Sequence, residues 1–303
     1  MKRILLLLLF CALLLSGCGN NSENTPVLPP DPADSAPLPA ETVSIDYLAL
    51  EFARDLYDPT ALLTLARETA PLLQKELAAR GYDVREIGCT IGAGNLMTAQ
   101  ALNEGGVDIA ILPAESYAEL CYEDARPVLG GTAKESFTCG IYATSSDYGT
   151  KLSKKSTLSL EALEKAHWGI IAENDTCRAY ASLYLADHYE GTTLDMLPHV
   201  SEFESAEALA AAAQQGEVDI AVLESSDALT LLFETEPIYS SVVAVTMQNE
   251  TAASDSFVRA LRESFITILA QNPDLLSLYN IHHFTPVQNA DLDPARRILT
   301  ITF

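Results

Sequence analysis

The chain has 303 residues, 48% of them hydrophobic, and carries 42 Asp and Glu against 18 Lys and Arg, a formal charge of -24. No stripe of clustered Lys and Arg appears, which excludes a nucleic-acid footprint. The acidic excess is spread along the chain as the soluble surface of an exported protein. Any anionic ligand then has to be held by short-range donors inside a cleft, against a repulsive far field.

At the amino end, Lys2 and Arg3 precede an apolar run from Ile4 to Leu15. The run falls short of the roughly 20 residues that a membrane span needs and stops at Leu15-Ser16-Gly17-Cys18, so it reads as a secretory signal. Leu-Ser-Gly-Cys resembles a bacterial lipobox, and the resemblance implies cleavage before Cys18, leaving residues 1–17 as signal peptide, with lipid on the Cys18 thiol. Residues 18–42, rich in Pro, Asn, Ser and Asp, bury too little apolar surface to offset the entropy of ordering and are expected to form a flexible tether. The roughly 260 residues beyond are long for one core, so two lobes are expected. Beyond Cys18 the cysteines are Cys89, Cys121, Cys139 and Cys177. They can pair in three ways or remain buried thiols.

Ser44 to Leu50 predicts an opening strand, Pro59 to Arg80 a long helix closed by Gly81, and Val84 to Cys89 the next strand, a β-α-β start. Pro71 lies inside that helix and predicts a kink or a split. An internal echo follows. Met97 to Leu112 and Ala208 to Leu223 each read as a helix of strong formers, a Gly stop, a tight turn and a short buried strand, with Val-Asp-Ile-Ala at Val107 and again at Val218. In open α/β sheets ligands bind beyond the carboxyl ends of strands. Those ends run here into Pro113-Ala114-Glu115-Ser116-Tyr117 and Glu224-Ser225-Ser226-Asp227, residue types that also open helices. Further strands are expected at Phe137–Thr144, Trp168–Ala172 and Ser241–Met247, and helices at Ala179–Tyr189 and Ser256–Ala270. The fold class is α/β and two-lobed, each lobe a mixed sheet flanked by helices, with two hinge strands between them. The first lobe takes residues 43–137 and 243–303, the second 138–242.

With these segments in place, most of residues 44–290 resembles the phosphonate/phosphite-binding proteins of ABC importers, which have the type II periplasmic-binding fold. The resemblance rests on the helix Leu62–Leu77 with its following Gly-Tyr-Asp-Val, on Gly106-Val107-Asp108-Ile109-Ala110 with Ser116-Tyr117 beyond it, and on Gly216-Glu217-Val218-Asp219-Ile220-Ala221. It implies a monomeric receptor on the outer face of the membrane that needs no cofactor. A small molecule is taken up between the lobes and passed to an ABC permease. The family's anion site, a Ser-Thr-Ser-Gly turn followed by an aromatic, corresponds to Thr176, Cys177, Arg178, Ala179 and Tyr180. Arg178 either clamps a carboxylate or phosphoryl group or is an exposed helix arginine. Tyr117 and Ser116 correspond to a cleft wall of the first lobe. Tyr47 and Phe52 stand where other members of the fold place side chains over the ligand, and Glu224 lies at the second-lobe tip.

No GxSxG, HExxH, metal-spaced Cys/His set or GxxxxGK[ST] loop occurs, and adjacent His282 and His283 cannot both enter one site from a regular element. An enzyme is therefore not expected. A tethered sensory receptor, or the same fold carrying a sulfonate, a thiamine precursor or another metabolite, are the competing readings.

Overall fold

The computed structural model describes residues 30–54, 58–132, 137–172, 174–279 and 281–301. The signal segment, Cys18 and the start of the tether lie outside them. The first lobe begins with α1 (Pro32–Ser35), β1 (Val43–Ile45), β2 (Leu48–Phe52), α2 (Pro59–Ala79), β3 (Tyr82–Val84) and β4 (Ile87–Ile91). It continues through α3 (Asn95–Asn103), β5 (Ile109–Pro113), α4 (Ala114–Leu120) and β6 (Ala125–Thr132). The second lobe holds β7 (Gly140–Ala143), α5 (Asp147–Leu152), α6 (Leu160–Glu164), β8 (Trp168–Ile171), α7 (Asp175–His188), β9 (Val200–Phe203), α8 (Ala206–Gln215), β10 (Ile220–Leu223) and β11 (Thr230–Glu234). The chain then returns with β12 (Ser241–Thr246), α9 (Glu250–Ala253), α10 (Asp255–Gln271), α11 (Pro273–Leu278), β13 (His283–Pro286) and α12 (Asp293–Ile298).

The first sheet has the order β13-β6-β12-β5-β2-β4 and the second β11-β7-β10-β8-β9. β2 runs parallel to β4 and β5, while β12 runs antiparallel to β5 and β6. The second sheet repeats this, with β8 parallel to β9 and β10 and β7 antiparallel to β10 and β11. In each sheet one internal strand antiparallel to both of its neighbours, β12 in the first and β7 in the second, is the one that has just arrived from the other lobe.

Both sheets are covered on both faces, as parallel strands require. Leu50, Phe52, Ile109, Ile111 and Val243 pack under α2 and α10, and Ala110, Leu112, Val242 and Ala244 pack against α3 and α4. In the second lobe Ile141, Trp168, Ile170 and Ile220 pack with α7, while Tyr142, Ala221 and Leu223 pack with Leu209 and Ala213 of α8.

Three expectations change. The strand expected over Ser44–Leu50 is two strands, and its partner breaks at the same level. Bonds from Arg85 N–H to the Ile45 carbonyl (2.8 Å) and from Leu48 N–H to the Glu86 carbonyl (3.0 Å) carry the pairing through the bend. Pro71 does not split α2, which runs unbroken for 21 residues. Pro71 and Arg67 are both exposed, so the Arg67 carbonyl that loses its partner can turn to water. The last part of the expected tether packs on the first lobe: Ala33 is buried, and Asp34 accepts from Arg262 at 2.5 Å. The Arg262 guanidinium is itself buried and needs a charged partner.

Candidate functional site

The strand registers show where the two sheets face each other. Ser241, the first residue of β12, pairs with Pro113 at the carboxyl end of β5 and with Gly131 near the end of β6. Gly140, the first residue of β7, pairs with Leu223 at the carboxyl end of β10 and with Glu234 at the end of β11. Both crossings therefore leave and enter at the carboxyl ends of the parallel strands, and those ends look at one another across the hinge. The crossings also bond to each other, Ile238 N–H to the Phe137 carbonyl at 2.7 Å and Thr235 N–H to the Cys139 carbonyl at 2.9 Å.

Three residues lie at these ends: Tyr180 in the first turns of α7, Glu115 in the first turn of α4 and Tyr239 on the return crossing just before β12. Tyr180 of α7 is only 7% exposed, and its phenol pKa is raised, first by burial and then by Glu115 of the first lobe and Tyr239 of the return crossing. The Tyr239 ring lies over Gly130, where a Cβ would come within 2.5 Å of it. Its own phenol is pushed up by burial, while a side-chain hydrogen bond with Thr285 lowers it. Neither Glu115 nor Tyr239 stands out in the sequence as a site residue. The available signal for Tyr239 was its place in Ile238-Tyr239-Ser240, immediately before a strand that had to re-enter the first lobe.

Thr176, Tyr180 and Glu224 come to the facing ends of the second lobe, Thr176 and Glu224 half-buried. Ser116 is buried in the first turns of α4. Tyr117, expected to line the cleft, is 0% exposed, with its hydroxyl 2.9 Å from the Ala125 carbonyl and 2.7 Å from Asn289 Oδ1. The helix turns Tyr117 and Cys121, four residues apart, onto the sheet and leaves Glu115 exposed at the tip. Phe52, expected over the ligand, is a core side chain with its ring 6.2 Å from that of Tyr279. Tyr47 precedes β2, at the opposite end of the strand from the crossings, and its hydroxyl sits over Gly88, 2.0 Å from where a Cβ would stand.

The turn that opens α7 is already engaged. Asn174 caps it, its Oδ1 accepting from Cys177 N–H at 3.0 Å. Cys177 is joined to Cys139 in a disulfide, and Cys89 and Cys121 are free thiols. Arg178 donates to Glu202 at 2.9 Å and to Asp195. Its pKa is raised chiefly by the bond to Asp195, so the guanidinium is committed within its own lobe rather than offered as a clamp. What this turn still presents to a ligand is the Thr176 hydroxyl and the first N–H groups of the helix.

Among the described residues no group of three or more His, Cys, Asp and Glu could hold a metal ion. No described helix is long and apolar enough to cross a membrane.

The sequence model of the phosphonate periplasmic substrate-binding proteins of ABC transporters matches residues 57–292, and the chain belongs to that family. No curated protein sequence matches it. Among solved structures it is similar to PhnD1 of Prochlorococcus marinus in complex with methylphosphonate, at 13% identity and a TM-score of 0.43, over 84% of this chain and 99% of that one. It is also similar to a Xanthomonas citri protein bound to ATP, at 15% identity and a TM-score of 0.47, over 84% and 98%. Transferrin 1 of Manduca sexta matches with a TM-score of 0.55 at 12% identity, over 84% of this chain and 46% of that one. The likeness to transferrin 1 concerns the fold alone.

Proposed function

We propose that the protein is the extracytoplasmic solute-binding lipoprotein of an ABC importer, which holds a small polar solute between its lobes and releases it unchanged to a membrane permease. The observation that carries this reading is the register that pairs Ser241 with Pro113 and Gly140 with Leu223, which brings both crossings to the carboxyl ends of both sheets, beside Tyr180, Glu115 and Tyr239. Family membership supports the transport role. The Cys139–Cys177 disulfide supports an oxidising compartment.

The cargo is a phosphonate or a phosphate-ester-like solute whose head meets neutral donors, the Thr176 hydroxyl and backbone N–H groups at the start of α7. Arg178, engaged with Asp195 and Glu202, keeps the second lobe in shape instead.

Mass spectrometry of small molecules released from protein purified without added ligand tests the cargo, alongside thermal-shift titration with methylphosphonate, an alkanesulfonate and a phosphomonoester. Binding of a phosphonate or phosphate ester that returns with unchanged mass supports the reading; a cargo lacking a phosphorus oxyanion overturns it. For the anchor, Cys18→Ala should abolish fatty-acid labelling, and normal labelling of that variant would remove the lipoprotein claim.

A further inference from the structure

After β13 the chain is bolted to the first lobe. Gln288 N–H donates to Asp291 Oδ2 at 2.7 Å, Asn289 Nδ2 donates to the Tyr122 carbonyl at 2.8 Å, and Asn289 Oδ1 lies 2.7 Å from the Tyr117 hydroxyl. Leu292 is buried in the first-lobe core. Arg296 bonds Asp293 at 2.7 Å and lies 4.5 Å above the Tyr122 ring. The Asn289 bonds, the buried Leu292 and the Arg296–Tyr122 contact fix the front of α12 against α4, and the two local bonds hold the segment's own shape.

The far end of the same six-residue helix belongs to the other lobe. Arg297 grips Asp187 of α7 with both terminal nitrogens, Nη1 at 2.9 Å from Oδ2 and Nη2 on Oδ1. Ile298 packs against the second-lobe core that contains Tyr180, Ala181 and Leu185. One short helix therefore spans two bodies whose covalent links are the two crossings. The helix Arg297 holds is the one that presents Tyr180 to the cleft.

We propose that α12 is a third, non-covalent tie between the lobes, and that the Arg297–Asp187 pair is a latch that sets how far the ligand-free protein opens. A bidentate guanidinium–carboxylate pair has a fixed fork geometry, so it survives only a narrow range of interlobe angles. The first-lobe anchorage is multiple and partly buried, whereas the pair is 41% and 38% exposed, so rotation of the lobes breaks the second-lobe end first. Exposed pairs are weak and screened by salt, which makes this a reversible latch. The inference rests on the two-lobed fold and on no assumption about the cargo.

The test uses the ligand-free mature protein with spin labels at Leu63→Cys and Met196→Cys, sites 67% and 68% exposed in the first and second lobes, and reads the interlobe distance distribution. Arg297→Gln and Asp187→Asn should each raise the open population about two- to five-fold, the scale of a part-exposed ion pair. Raising sodium chloride to ~0.5 M, where the screening length falls to a few ångströms, should do the same to the parent protein and add nothing in Arg297→Gln. The exchanged pair Arg297→Asp with Asp187→Arg should narrow the distribution again, which general destabilisation would not do. Distributions for both single variants that superimpose on the parent at low salt would overturn the latch, whatever the cargo proves to be.

Discussion

Asp108 Oδ2 accepts a hydrogen bond from Ala49 N–H at 2.8 Å, and Asp219 Oδ2 accepts one from His167 N–H at 2.9 Å, so the two carboxylates tie equivalent parallel strands in the two lobes. The correspondence extends outward. Asn249 donates to the other oxygen of Asp108 at 2.7 Å and Ser146 to that of Asp219 at 2.5 Å, while Thr246 N–H and Thr144 N–H each reach the carbonyl of their aspartate at 3.0 Å. The repeated Val-Asp-Ile-Ala segment is thus a joint used once per lobe.

Replacing either aspartate by Asn removes one of two charged acceptors and turns an amide donor toward another donor. Asp108→Asn and Asp219→Asn should each lower stability by about 1.5–3 kcal/mol, the scale of hydrogen bonds to charged groups. Urea unfolding with an unchanged slope would measure it, and a loss confined to one of the two variants would argue against equivalent roles.

The disulfide closes a segment with a sequence separation of 38. Cys139 stands at the first crossing and Cys177 in the opening turn of α7, so the bond joins hinge to site. Loop-closure entropy gives about 4 kcal/mol for such a loop. The Cys139→Ala/Cys177→Ala variant should unfold at a markedly lower temperature, and dithiothreitol should lower the melting temperature of the parent but not of the variant.

Tyr117→Phe leaves the Ala125 carbonyl and Asn289 Oδ1 without their phenol partner inside the first lobe. A stability loss of roughly 1–3 kcal/mol is expected, with ligand affinity, once a cargo is in hand, unchanged. An affinity loss at unchanged stability would return Tyr117 to the cleft.

Burial pushes the Cys89 thiol up to about 11; Cys121 rises to about 12, through burial first and then the Asp124 charge. Raised values deplete the thiolate, the reactive form. Alkylation at either residue, located by peptide mapping, should therefore stay slow at pH 8. Its rate should climb about tenfold per pH unit through pH 9 without levelling, because both folded values lie above that window. A plateau near pH 9 would show an ordinary thiol.

The class of fold was readable from local pattern. The repeated helix-Gly-strand unit, the apolar spacing of Leu62, Leu65, Leu73 and Leu77 along α2 and the short buried strands all express side-chain periodicity, which neighbours in sequence impose. Even there, the double break in β1–β2 and β3–β4 escaped the reading, because both members of a strand pair bend together and each looks continuous alone.

The site was less legible, and for one reason: each assignment depended on which of several chemically suitable partners came near in space. Glu115, Ser116 and Tyr117 are consecutive, and only the packing of α4 against the first sheet decides that Tyr117 enters the core while Glu115 stays exposed at the tip. Cys177 and Arg178 looked available until the fold brought up Cys139, Asp195 and Glu202. By itself, the sequence determined the two-lobed α/β class, its repeated helix-Gly-strand unit and the family. The tertiary structure alone decided which cysteines pair, which donors remain open to a ligand and where Arg297 lands, because these contacts join residues tens of positions apart and their geometry is set by the packing of whole elements.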